Sequence, residues 1–289
     1  MKAFKRTCSV LMISALMPAA WAGSLTLGGV VDEDSGKSFD LGGRFQATPA
    51  WTLGAGVGHS ESKFDDQQFS GSSFNVSSDL ALGAFFIGAS ANRWKDSGEL
   101  RATVLRGELG WMSEAGVAIS ALVTSRATRI DYTVTFLGQT RERQIDFEGT
   151  GFGGDVSYLG EQWTAGVRFL SYDYGNNVER VRAAMESGDT ERFPTLARLF
   201  GSVATQAAGS PDRELSFMLG REFGKVSVTA DMQLLRDALT GGKTNSGGLT
   251  LGFKPTPRFS VDVSAGVTDS DVVGNVPWAG LSLTLRSAD

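Results

Sequence analysis

The chain has 289 residues, with 27 basic and 32 acidic side chains, one cysteine, one histidine and a formal net charge of −5. The acidic balance excludes a general nucleic-acid binder, whose affinity rests on neutralising phosphates, and a lone His and a lone Cys exclude a histidine- or cysteine-rich metal site. Glycine is abundant at 37 residues and mean hydropathy is −0.07, so a membrane surface can hide in this chain only if alternate residues carry it.

The first segment reads as an address. Lys2, Lys5 and Arg6 give a positive start, Val10, Leu11, Met12, Ile13, Leu16 and Met17 an apolar core, and Ala20-Trp21-Ala22 small residues at the two positions a signal peptidase reads. This predicts a signal peptide over 1–22, cut before Gly23. The apolar run is roughly half the ~20 residues that span a bilayer as a helix. Cys8 precedes the apolar core, so it is not a lipidated cysteine. Cleavage leaves one domain, 23–289, without cysteine and with its net charge moved from −5 to −8 by loss of three cations. No later apolar stretch approaches ~18 residues, so no transmembrane helix is expected.

From residue 24 the dominant period is two, the signature of strands. Fourteen strands are predicted, over 24–32, 38–47, 51–60, 73–83, 86–95, 99–111, 116–136, 141–158, 163–174, 213–223, 225–237, 247–254, 258–268 and 277–287. In the second, Phe39, Leu41, Phe45 and Ala47 alternate with Ser38, Asp40, Arg44 and Gln46. In the third, Trp51, Leu53, Ala55 and Val57 alternate with Thr52, Gly54, Gly56 and Gly58. The break near Ala84–Phe86 has no turn chemistry, and fusing its strands leads to twelve as the alternative. The seventh and eighth exceed a bilayer's thickness, since Ile130, Tyr132, Val134 and Phe136 continue the alternation, so that hairpin should project outward. Val226, Val228, Ala230, Met232 and Leu234, then Val261, Val263, Ala265 and Val267, repeat the theme.

The face opposite the apolar one is mostly Gly, Ser and Thr with occasional Asp and Arg, which suits the inside of a closed barrel better than the charge-rich solvent face of a sandwich. Short connections at 48–50, 113–115, 160–162, 224–225 and 255–257 alternate with longer polar ones at 61–72, 138–143, 175–212, 238–246 and 269–275. Trp51, Trp111, Trp163, Phe223 and Phe259 flank short turns and Phe253 lies close to one, the placement of an interfacial aromatic belt. One segment leaves the period of two. Over 177–208, Val178, Val181 and Met185, then Phe193, Leu196, Ala197, Phe200 and Ala204, follow a helical period, and Gly209-Ser210-Pro211 stops it. Strand parity puts this helix in an extracellular loop, with Phe193, Leu196 and Phe200 as the stripe that must pack on something.

The signal, alternating strands and sorted turns together resemble Gram-negative outer-membrane β-barrel proteins as a class. The resemblance implies an all-β, closed antiparallel transmembrane barrel in the cell outer membrane, with outer-membrane lipid and the barrel assembly machinery as partners. One feature departs from the class: the chain ends Leu285-Arg286-Ser287-Ala288-Asp289 without a terminal Phe or Trp, which keeps a periplasmic or secreted β-protein as an alternative.

Three functions follow. The favoured one is a passive pore for small solutes or ions, narrowed or gated by the helical loop. Its expected lumen charges are Asp40, Arg44, Asp79, Arg101, Arg106, Glu108, Arg168, Asp231, Asp262 and Arg286, and facing charges of both signs would set a transverse field. The second is a non-conducting adhesin or structural barrel. The third is a lipid hydrolase, some of which carry a His and a Ser two apart on the lipid side of one strand. In His59-Ser60-Glu61-Ser62, however, His59 and Glu61 share a face and neither serine joins them. Folding the hairpin about 61–72 sets the nearest outward serine, Ser78, opposite Ala55, out of reach of His59. No catalytic residue, cofactor or metal ligand is therefore assigned.

Overall fold

The computed structural model describes residues 23–33, 36–64, 67–96, 100–136, 139–175, 210–238, 241–271 and 274–287. The predicted signal segment 1–22 and the predicted helical loop 177–208, with Phe193, Leu196 and Phe200, lie outside the described residues. Fourteen strands are present: β1 (Gly23–Asp32), β2 (Lys37–Thr48), β3 (Trp51–Phe64), β4 (Gln67–Leu82), β5 (Phe85–Asp96), β6 (Leu100–Met112), β7 (Val117–Phe136), β8 (Gln139–Leu159), β9 (Trp163–Asp173), β10 (Pro211–Phe223), β11 (Val226–Asp237), β12 (Lys243–Thr256), β13 (Phe259–Ser270) and β14 (Gly274–Arg286). Each pairs antiparallel with its chain neighbours, and β1 pairs with β14 from Ser24↔Arg286 to Asp32↔Trp278, which closes the barrel. Closure leaves no strand edge without a backbone partner, the condition for strands in hydrocarbon.

Fourteen, not twelve, is the outcome because the break at Gly83-Ala84 is a true turn. Gly83 sits at φ +67°, a left-handed conformation that glycine reaches without a Cβ penalty. The polar stretch 61–72 is largely strand rather than loop, and strand reaches into 238–246 and 269–275: β3 continues to Phe64, β4 starts at Gln67, β12 at Lys243, β13 ends at Ser270 and β14 starts at Gly274. Ladder hydrogen bonds join backbone groups whatever the side chains. Beyond a bilayer both faces are wet, so the apolar alternation stops before the strand does. The β7–β8 hairpin is the longest, paired out to Phe136↔Gln139 as expected.

The two faces sort as the period requires. Phe39, Val57, Phe74, Ile87, Leu109, Val123, Phe152, Phe217, Leu249, Val263 and Leu281 are all exposed on the outside, a continuous apolar surface that a soluble monomer does not present. Trp51, Trp111, Trp163, Phe223 and Phe253 face outward near the short-turn end. There Trp51 Nε1 donates to Ser78 Oγ at 2.9 Å, and the Arg221 guanidinium lies 4.8 Å from the Trp163 ring and 4.7 Å from that of Phe223.

Inside, glycines make room for aromatic rings. A Cβ on Gly149 would strike the Tyr174 ring, one on Gly151 would lie 2.7 Å from Tyr172 Cε1, one on Gly71 2.8 Å from Trp94, and one on Gly248 2.8 Å from Trp278. Glycine on one strand thus makes room for a large side chain from the next strand or the one beyond it.

Candidate functional site

The inner wall has two different arcs. On β1 to β5 small inward residues, Ser24, Thr26, Gly42, Gly54, Asn75, Ser77, Gly88 and Ser90, border a cavity of about 440 Å³. From β6 to β9 the wall is bulky. Leu122, Leu170, Tyr172, Tyr174 and Arg126 are buried there, and the two tyrosine rings stack at 6.1 Å and 19°. Arg106 stands between the arcs, lining the cavity with its charge close enough to Tyr172 to interact with it electrostatically. Among the described residues the wall thus fills the lumen from one side and leaves a cavity along the other.

Nine of the ten expected lumen charges face inward. Arg44, Asp79, Arg106 and Glu108 line the cavity. Arg44 Nη2 binds Asp79 Oδ2 at 2.7 Å across the mouth of β3, with both side chains about half exposed to the lumen. Arg168 pairs with Asp155 at 3.3 Å. Asp40 reaches over Gly58, and Asp262 over Gly252. These two acids share one register row through Gly28 and Ser282. Asp231 is paired in register with Met218 and Gly248, and Arg286 Nη1 donates to Ser260 Oγ at 3.4 Å.

Arg101 is the correction. Its register partners are Lys95 and Arg129, and it shares the outward parity of Leu105, Leu109 and Trp111, all exposed. The register of β6 runs without a bulge, so an odd residue cannot share the face of Arg106 and Glu108. Conversely, Arg126, Asp155, Tyr172 and Glu214 face the lumen and were not singled out from the sequence. The signal that marks Tyr172 and its neighbour is the run Gly149, Gly151, Gly153 at a spacing of two, answered by Tyr174, Tyr172 and Leu170 on the returning strand.

A second correction concerns His59. β3 and β4 pair out to Phe64↔Gln67, which sets His59 directly opposite Ser72 and Ser78 opposite Leu53, not Ala55. His59 Nε2 is 3.6 Å from Glu61 Oε1 on the same outward face. Among the described residues no cluster of His, Cys, Asp and Glu is arranged to hold a metal ion.

A closed, even-stranded antiparallel barrel with an apolar exterior, an aromatic girdle and a polar interior defines a transmembrane β-barrel of the outer-membrane type. No known protein-family profile matches the chain, and no curated protein matches it. Among solved structures, the chain is similar to a CymD monoaromatic hydrocarbon channel, at TM-score 0.55 and 10% identity over 92% of this chain and 88% of that one. Omp33 of Acinetobacter baumannii follows at TM-score 0.48 and 10% identity, covering 92% and 98%. OmpT of Vibrio cholerae gives TM-score 0.48 and 10% identity, covering 92% and 96%. The first of these shares the barrel fold.

Proposed function

We propose that this chain is a non-enzymatic pore of the outer membrane that passes small hydrophilic solutes or ions, narrowed by the bulky arc of its own wall and by the segment 177–208. The cavity along the glycine- and serine-lined arc, with charges of both signs at its border, carries this reading. The solved CymD barrel is a channel for monoaromatic hydrocarbons. The lumen here is polar, so the same architecture suits water-soluble cargo. If the first 22 residues are an export signal, N-terminal sequencing of the membrane-extracted protein is expected to start at Gly23. The refolded protein should give discrete conductance steps in a planar bilayer and let liposomes swell in small sugars. Absence of both, in the full protein and in a variant lacking 178–208, would leave an adhesive or structural barrel as the better reading.

One arrangement favours a second reading. His59 with Glu61 beside it and Ser72 across from it sits on the lipid-facing side, where a base and a hydroxyl could act on an ester. Lipid-ester hydrolysis that His59→Ala and Ser72→Ala each abolish, with conductance unchanged, would establish it.

A further inference from the structure

At the far end from the short turns, the outer surface carries cations side by side. On β10, β11 and β12 the register places Arg213 directly opposite Arg236, and Arg236 directly opposite Lys243. All three are exposed, on the outward parity of Leu215, Phe217, Leu219 and Phe223 on β10 and of Leu234, Met232, Val228 and Val226 on β11. Like charges opposed across a ladder repel. A chain tolerates three in a row most readily where an anion comes to them.

The acids nearby do not fill that role. Asp212 reaches Arg213 Nε only at 3.8 Å. Asp271 follows Lys243 in the row, but its Oδ2 accepts from the Lys243 backbone N–H at 2.8 Å. Among the described residues no carboxylate lies within ion-pair distance of the Arg236 guanidinium or the Lys243 ammonium. Asp173 and Asp269 flank the row on neighbouring strands, on the outward face. A second row at the opposite side of the barrel makes the contrast: Lys95, Arg101 and Arg129 are opposed in the same way, and there Asp146 completes the row with its Oδ1 2.9 Å from Arg129 Nε. In that row the chain supplies an anion of its own.

The height of the rows names the anion. Arg213 lies ten residues along β10 from the girdle residue Phe223, and Arg101 ten residues along β6 from Trp111. Ten residues of strand span roughly 33 Å, which at a tilt of about 40° is about 25 Å along the membrane normal, the height of the apolar band of such barrels. Both rows therefore stand where hydrocarbon ends and headgroups begin, on the lipid side of the wall. Guanidinium forks and an ammonium suit phosphate oxygens. We infer that Arg213, Arg236 and Lys243 form a binding site for the phosphate groups of an anionic glycolipid of the outer leaflet. The inference rests on the barrel spanning the membrane, not on its lumen being open.

The test uses the full barrel in detergent, with bis-phosphorylated lipid A, the same lipid with its phosphates removed, and inorganic pyrophosphate as probes. Binding is read by native mass spectrometry and by the rise in the temperature at which the folded band is lost. Wild type should bind the phosphorylated lipid at least tenfold more tightly than the dephosphorylated one. Arg236→Gln/Lys243→Gln should lose that preference while keeping its folded band and its conductance. Lys37→Gln, an outward cation beyond these rows, should bind like wild type. Should the double variant fail to fold, Arg236→Gln alone should still weaken binding severalfold. Equal binding by wild type and either row variant overturns the site. Pyrophosphate bound as tightly as the lipid overturns the lipid assignment and makes the row a site for soluble polyanions.

Discussion

Single residues in this wall differ more by what stands opposite them than by their own chemistry. Gly153 and Gly28 both face the lumen from strand interiors, yet a Cβ on Gly153 would run into the Phe169 backbone carbonyl, whereas one on Gly28 would meet nothing nearer than 3.9 Å. Backbone cannot step aside without opening the β8–β9 ladder, so Gly153→Ala should lower stability by about 1–3 kcal/mol. Gly28→Ala should be neutral or slightly stabilising, because alanine has less backbone freedom to lose. Urea midpoints of the refolded proteins check both. Charge follows the same rule. Arg44 and Asp79 form a short ion pair, but both are about half exposed, so Asp79→Asn should cost no more than about 1 kcal/mol. It would still remove the ion-pair partner of Arg44 and one negative charge from the cavity wall, and the reversal potential in a salt gradient should move toward anions. Residue types were legible in the sequence here; their neighbours were not. Ser72 was overlooked because the register of a hairpin depends on where its turn lies, and two residues of displacement keep the parity while changing every partner.

Whole strands were the most legible level. Alternation marked all fourteen, since one face must meet lipid and the other polar lumen, and the predicted spans agree best where both solvents act. They fall short at the outer ends of β3, β4 and β12, where water wets both faces and polar sequence no longer separates strand from loop. Parity also corrects its own misuse, because Arg101 belongs with Leu105 and Leu109 once β6 is followed without a break. The face assignment is testable on β13. Val263 is 53% exposed on the outside, and Val263→Arg should cost about 2–4 kcal/mol and impair assembly. Ser264, one step away, points inward beside Gly280, and Ser264→Arg should assemble normally and lower conductance. Ser260 is no such neutral control: it is 2% exposed and packed near Arg286, so an arginine there should disturb the rim. Equal assembly of Val263→Arg and Ser264→Arg would show that the two faces of β13 are assigned the wrong way round.

At the scale of the molecule, stability comes from closure. Most buried large side chains lie on the inner wall of β6 to β9, with Trp94 on β5 and Val276 on β14, rather than in a central core, and every strand between β1 and β14 has two ladder partners. Removing an end strand and removing a connection should therefore differ in kind. Truncation before Gly274 deletes β14 and strips partners from both β1 and β13. Two edges then face hydrocarbon, where each unsatisfied backbone group costs several kcal/mol, and the fast-migrating folded band in unheated SDS samples should disappear. Deleting 178–208 and bridging the gap with a short Gly-Ser linker leaves all fourteen described strands intact, since β9 ends at Asp173 and β10 starts at Pro211. Changes in loop length are tolerated thermodynamically far better than lost pairing, so this variant should keep the folded band. If the apolar stripe of Phe193, Leu196 and Phe200 packs at the mouth, single-channel conductance should rise in the deletion. A folded deletion with unchanged conductance places the stripe away from the conduction path, and leaves the narrowing to Arg126, Leu170, Tyr172 and Tyr174 on the wall itself.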